Sequence, residues 1–135
     1  MQRTLKSPAE LRGIGLHTGK ETRVVLRPAP PGEGVVFVRT DLAGHPEIAA
    51  IGENMTVRER RSCLRSGPAE VFTCEHLLAS LSGMRVDNVS IEIDGEEVPG
   101  MDGSARDFVA AIRAAGIVEQ NAEKPTFSVK EPIYV

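Results

Sequence analysis

Thr73-Cys74-Glu75-His76-Leu77-Leu78-Ala79-Ser80-Leu81-Ser82-Gly83, followed after a short link by Asn88-Val89-Ser90-Ile91-Glu92-Ile93, is the stretch on which the fold turns. In its first half Leu77, Leu78, Leu81 and then Met84 recur at helical spacing and make one apolar stripe that a sheet must cover. Thr73 is placed to cap this helix, and Gly83 suits the left-handed position at which helices end. The second half alternates, with Val89, Ile91 and Ile93 sharing one face, as a half-buried strand requires.

Toward the C-terminus, the loop Glu97-Val98-Pro99-Gly100-Met101-Asp102-Gly103 leads into a second helix. Ser104 is its expected cap, and Asp107 lies near the positive end of the helix dipole. Phe108, Val109, Ile112 and Ala115 line its buried side and Gly116 ends it. Thr126 to Lys130 and Pro132 to Val135 have strand character. Toward the N-terminus, the β-branched run Thr22 to Arg27 ends at Pro28-Ala29-Pro30-Pro31-Gly32-Glu33-Gly34, and Val35 to Arg39 follows; the two are expected to pair as a hairpin. Residues 41–66 are broken by Gly44, Pro46, Gly52 and Asn54 into short strands and loops. The pattern predicts an α+β fold, a two-layer sandwich with two helices packed on one face of a mostly antiparallel sheet.

Composition narrows the function classes. A chain of 135 residues suits one core, and with 4% aromatic residues and no Trp that core must be aliphatic. A net charge of -3 argues against a nucleic-acid partner, which would need a concentrated basic surface. The run Arg58-Glu59-Arg60-Arg61 includes a carboxylate and reads as a solvated loop. No apolar stretch approaches the roughly 20 residues of a membrane span, and Met1-Gln2-Arg3-Thr4 opens no secretory leader, so a cytoplasmic protein is expected. Cys63 and Cys74 are too few for a disulfide scaffold and read as small buried hydrophobes.

Glu75-His76 is the one place where a strong metal ligand adjoins a carboxylate. An imidazole can bind zinc while a neighbouring carboxylate takes a proton from water. Side chains of successive helical residues diverge by about 100°, so the pair cannot face one direction. A catalytic zinc needs about three protein ligands, and the three histidines, His17, His45 and His76, form no H-E-x-x-H pattern. From the dipeptide alone His76 reads first as a hydrogen-bonded residue at a helix start. His17, in Gly13-Ile14-Gly15-Leu16-His17-Thr18-Gly19, reads as part of a tight turn, and His45 as a loop residue. Asp102 and Ser104 are explained by helix capping, and Ser104 lacks a nucleophile elbow.

Taken in order, Gln2 to Lys6, Gly13 to Gly19, Leu26 to Pro30, Arg39 to Leu42, Thr73 to Ala79, Asp87-Asn88 and Met101 to Ala105 resemble the zinc-dependent UDP-3-O-acyl-N-acetylglucosamine deacetylases of lipid A synthesis. The resemblance spans essentially the whole chain and covers only the N-terminal domain of that family. It implies two similar α+β domains packed face to face around the active site, with residues 1–124 forming the first and residues 125–135 the first strand of, or linker to, a second that is missing here. It implies hydrolysis of the acetamide of a UDP-linked, 3-O-acylated glucosamine, with acetate and a free amine as products. It places the general base on Glu75 and one zinc ligand on His76. The other ligands, in an H-x-x-x-D motif, an oxyanion Thr, a Lys, a His acid and the acyl-chain passage belong to the second domain. The 135 residues alone are therefore expected to be inactive; a noncatalytic short homologue serving as a binding or assembly module is the alternative.

Overall fold

The computed structural model describes residues 1–134. The strand run 89–93 is the organising element: β9 (Val89–Ile93) lies at the centre of a five-stranded sheet with β2 (Ala9–Ile14), β3 (Glu21–Pro28), β4 (Val35–Arg39) and β5 (Glu47–Ala49), in the order β2-β3-β9-β4-β5. Only the β4–β9 pairing is parallel. Registry puts Leu11, Val24 and Ile93 in one row, and Leu26, Ile91, Phe37 and Ile48 in the next. All are buried in one cluster with Leu77, Leu81, Phe108 and Ile112 of the two helices, α1 (Glu75–Gly83) and α2 (Arg106–Ala115). The reverse face carries Glu10, Arg12, Arg23, Arg27 and Glu92, joined as ion pairs. Apolar alternation thus makes the predicted two-layer α+β sandwich.

Two smaller sheets complete the domain. The antiparallel pair β1 (Arg3–Leu5) and β10 (Ile117–Glu119) brings the two ends of the domain together. The meander β6 (Met55–Arg58), β7 (Arg61–Ser66) and β8 (Ala69–Phe72) leads directly into α1. A single 3-10 turn, Gly52–Asn54, precedes β6, and the Arg58–Arg61 run forms the exposed tip of the β6–β7 hairpin.

Five local expectations are corrected. The runs 22–27 and 35–39 do not form a hairpin, because β9 inserts between them. An alternating strand buries its apolar row best with a neighbour on each side, and the Pro/Gly link spans the gap. That link is tethered by Gly32 N–H donating to Gln2 Oε1 (2.8 Å) and Gly34 N–H to Asn88 Oδ1 (2.8 Å). Thr73 does not cap α1; its hydroxyl is committed to Glu97 (2.9 Å), and the helix starts at Glu75. Gly83 stays helical, and the left-handed residue beyond the helix is Arg85 (φ 57°). Residues 120–134 form no strand, while Val135, the end of the expected tail strand, lies outside the described residues. Ser104 is not the cap of α2: it accepts the Arg106 N–H (3.1 Å) from one residue before the cap position, which Ala105 holds, while Gly116 (φ 74°) ends the helix as expected.

Candidate functional site

A broad cleft of about 580 Å³ is lined by Ile14, Gly15, Leu16, Gly19, Thr73, His76 and the loop Gly100 to Gly103. Its walls come from three separate segments: the turn after β2, the junction between β8 and α1, and the loop before α2. Glycines permit that approach. A Cβ at Gly13 would stand 2.9 Å from Pro99 Cβ and 3.0 Å from Met101 Sδ, and one at Gly15 would collide with the Glu97 carboxylate and the Thr18 hydroxyl. The tight path read from the G-I-G run is thus an interface with the 97–103 loop.

His76, half-buried, lies in the first turn of α1 and lines this cleft. Glu75 points elsewhere, as the helical angle between neighbours demands. Its Oε2 accepts the Ser62 N–H from β7 (3.2 Å). The Ser62 carbonyl in turn accepts the Thr73 N–H (3.0 Å) and the Cys74 thiol (3.6 Å), so one residue of β7 seats the whole start of α1. His17 and His45 are exposed turn residues outside the cleft lining, and His45 has φ 45°. Asp102 lines the cleft but is engaged by Ser104, whose N–H (3.0 Å) and hydroxyl (2.7 Å) both donate to Oδ1 and hold its carboxyl below the usual range.

Both cysteines are buried and held as thiols. Burial, with the Glu75 charge added, pushes the Cys74 thiol up to about 12; burial and the Glu70 carboxylate, 2.7 Å from its sulfur, raise Cys63.

The residue that sequence reasoning missed is Glu97. It is 1% exposed, and its carboxylate accepts the N–H groups of His17 (2.9 Å) and Thr18 (2.7 Å) and the Thr73 hydroxyl (2.9 Å). Burial would raise its pKa, but these N–H and O–H donors outweigh burial and hold the carboxyl below its ordinary value. Nothing in Glu96-Glu97-Val98-Pro99 separates Glu97 from the exposed Glu96; only the paired glycines at 13 and 15 hinted at a close neighbour.

The donor set in the cleft is suited to zinc only in part. His76 is a sound single ligand, but among the described residues no three His, Cys, Asp or Glu side chains gather to hold a metal ion. A complete shell requires ligands from outside these residues.

A family model described as UDP-3-O-acyl N-acetylglycosamine deacetylase matches residues 2–135. The chain belongs to this family. Proteins named UDP-3-O-acyl-N-acetylglucosamine deacetylase are similar along nearly its whole length: 47% identity in Myxococcus xanthus (99% of this chain, 43% of the relative) and 46% in Cellvibrio japonicus (98% and 44%). The relative from Bdellovibrio bacteriovorus is 42% identical over 99% of the chain and 44% of its own length. The chain thus spans less than half the length of these relatives.

Proposed function

We propose that this domain contributes one half of a deacetylase site that hydrolyses the acetamide of UDP-3-O-acyl-N-acetylglucosamine in lipid A synthesis, releasing acetate. The observation that carries the reading is the coincidence of a family match over residues 2–135 with His76 lining the 580 Å³ cleft. In this reading Glu75 is the general base. The Ser62 amide holds its Oε2 outside the cleft that His76 lines, so the base role rests on the family match; Oε1 is the oxygen that would take a proton from the attacking water. His76 supplies one zinc ligand, and two more come from the second domain. The chemistry a bound zinc supplies is Lewis acidity toward the acetamide carbonyl. The cleft wall of Ile14, Leu16 and Met101 offers apolar surface for that domain and substrate to cover.

The domain boundary follows the same logic. Gln2 bonds to Ala122 and Glu123, and Lys124 pairs with Asp87, which supports residues 1–124 as the N-terminal domain and 125–135 as the path to the next. Both cysteines are free and buried, which fits a reducing, cytoplasmic setting; among the described residues no helix is long and apolar enough to cross a membrane.

The test is complementation. The 135 residues alone should neither turn over the UDP sugar nor retain stoichiometric zinc after dialysis. Adding the remaining domain in trans should restore acetate release, and Glu75→Gln should then lower it by about 10²–10⁴-fold. Full activity of Glu75→Gln in the restored enzyme would refute the base assignment. Failure of every second domain to restore turnover to a well-folded chain would favour a noncatalytic module.

A further inference from the structure

Thr73 has φ 56°, lies two residues before α1 begins, and is 2% exposed. A β-branched residue in the left-handed region is an outlier that costs about 1–3 kcal/mol and persists only where its surroundings impose it. Here the imposing partner is Glu97. Its Oε1 accepts the Thr73 hydroxyl at 2.9 Å, and the backbone on either side of Glu97 is stitched to the residue before Thr73: Phe72 N–H donates to the Glu96 carbonyl (2.9 Å), and Val98 N–H to the Phe72 carbonyl (3.1 Å). The same carboxylate takes the amides of His17 and Thr18 from the facing wall. Among the described residues Glu97 forms no ion pair, and its charge is met by the His17 and Thr18 amides and the Thr73 hydroxyl, of which Thr73 lines the cleft.

Such an arrangement is more than packing requires. A buried carboxylate without a cation is a costly way to join three loops, and an apolar side chain would join them with less desolvation. A carboxylate, however, fixes direction. It sets the Thr73 turn from which α1 departs, and with it the direction in which His76 enters the cleft. We propose that Glu97 is a positioning residue for the Glu75-His76 pair, acting through the strained turn at Thr73 and holding the 15–18 wall opposite at a set distance. This inference rests on the deacetylase reading for its kinetic consequence, but its structural part stands without it.

The test uses the chain joined to the remaining domain of the deacetylase, with Glu97→Gln, Thr73→Val, Thr73→Ser and the Glu97→Gln/Thr73→Val double variant. Because a sub-ångström to ångström shift of a reacting group costs up to about 10²-fold, Glu97→Gln and Thr73→Val should each lower kcat by about 10–100-fold. KM should stay within about threefold, as expected when ground-state binding is untouched. Thr73→Ser, which keeps the hydroxyl, should retain nearly full kcat, and the double variant should be no worse than the poorer single one. In parallel, the His76 ring resonances of the 135-residue chain should move in Glu97→Gln and Thr73→Val and stay in place in Thr73→Ser.

Wild-type kcat in a folded Glu97→Gln protein overturns the proposal, as does a double variant whose losses multiply. If the unsubstituted joined protein shows no deacetylation, the functional reading fails, and the His76 resonances decide this inference separately. Unchanged resonances in both Glu97→Gln and Thr73→Val would then overturn it.

Discussion

Asn88 and Glu97 flank the central strand β9, are each 1% exposed, and use the same device: a buried side chain collecting loop segments distant in sequence. Asn88 donates to Gln2 Oε1 (2.8 Å) and Gln120 Oε1 (2.8 Å), accepts the Gly34 amide (2.8 Å), and its carbonyl accepts the Thr4 hydroxyl (2.7 Å). It closes the end of the sheet where the two ends of the domain meet. Glu97 gathers the other end, where the cleft lies, and does so with a charge. A neutral amide satisfies donors and acceptors at once and costs little to bury, which suits a purely architectural joint. A carboxylate accepts only, so every one of its partners must point a donor at one place, which suits a joint that must keep a geometry.

The largest effect should come from breaking the neutral joint. Asn88→Ala leaves several buried partners unsatisfied at about 1–3 kcal/mol each, so denaturant unfolding should show the domain destabilised by about 3 kcal/mol or more. The His76 resonances in the remaining folded fraction should nevertheless be unchanged, in contrast to Glu97→Gln. Movement of His76 in Asn88→Ala would erase the distinction between the two joints.

A smaller effect should appear in the pH dependence of stability. The Glu97 carboxyl is depressed in the folded chain, so the unfolded chain binds its proton first as pH falls. Its stabilising contribution is therefore complete above the ordinary value of 4.5 and is lost as pH falls below that toward the folded value. Glu97→Gln should accordingly lose less stability on acidification than the parent chain, whereas an Asn88 variant should fall in parallel with the parent. Identical slopes for Glu97→Gln and the parent would mean that the carboxylate is not held as its donors indicate.

The smallest effect sharpens the boundary of the cleft. Cys74 sits between Thr73 and Glu75 yet is fully buried with its thiol at about 12, so iodoacetamide at pH 8 should leave it unmodified by mass spectrometry in the native chain. Rapid labelling in Glu97→Gln but not in the parent would show that the Thr73 turn opens when its anchor is removed. Rapid labelling in the parent would contradict the seating of α1 on Ser62.

Much of the layer architecture was legible because it follows from period. Val89, Ile91 and Ile93 alternate and are buried, and Leu77, Leu81, Phe108 and Ile112 recur at helical spacing and meet them. The local ends were less legible. Thr73 has the chemistry of a cap, and only the nearness of Glu97 diverts its hydroxyl. The link Pro28 to Gly34 has the composition of a hairpin turn, and only the demand of β9 for two neighbours separates the strands.

The site divides in the same way. Residue type and adjacency brought Glu75 and His76 to notice, the family resemblance alone gave them roles, and the angle between successive helical side chains already required them to point apart. That His76 is the one that lines the cleft, that Glu75 turns to Ser62, and that Glu97 ties the cleft's walls together were decided by tertiary structure alone. The reason is physical: period and propensity act over a few residues, whereas a buried carboxylate is defined by donors that lie 24 and 80 positions away along the chain.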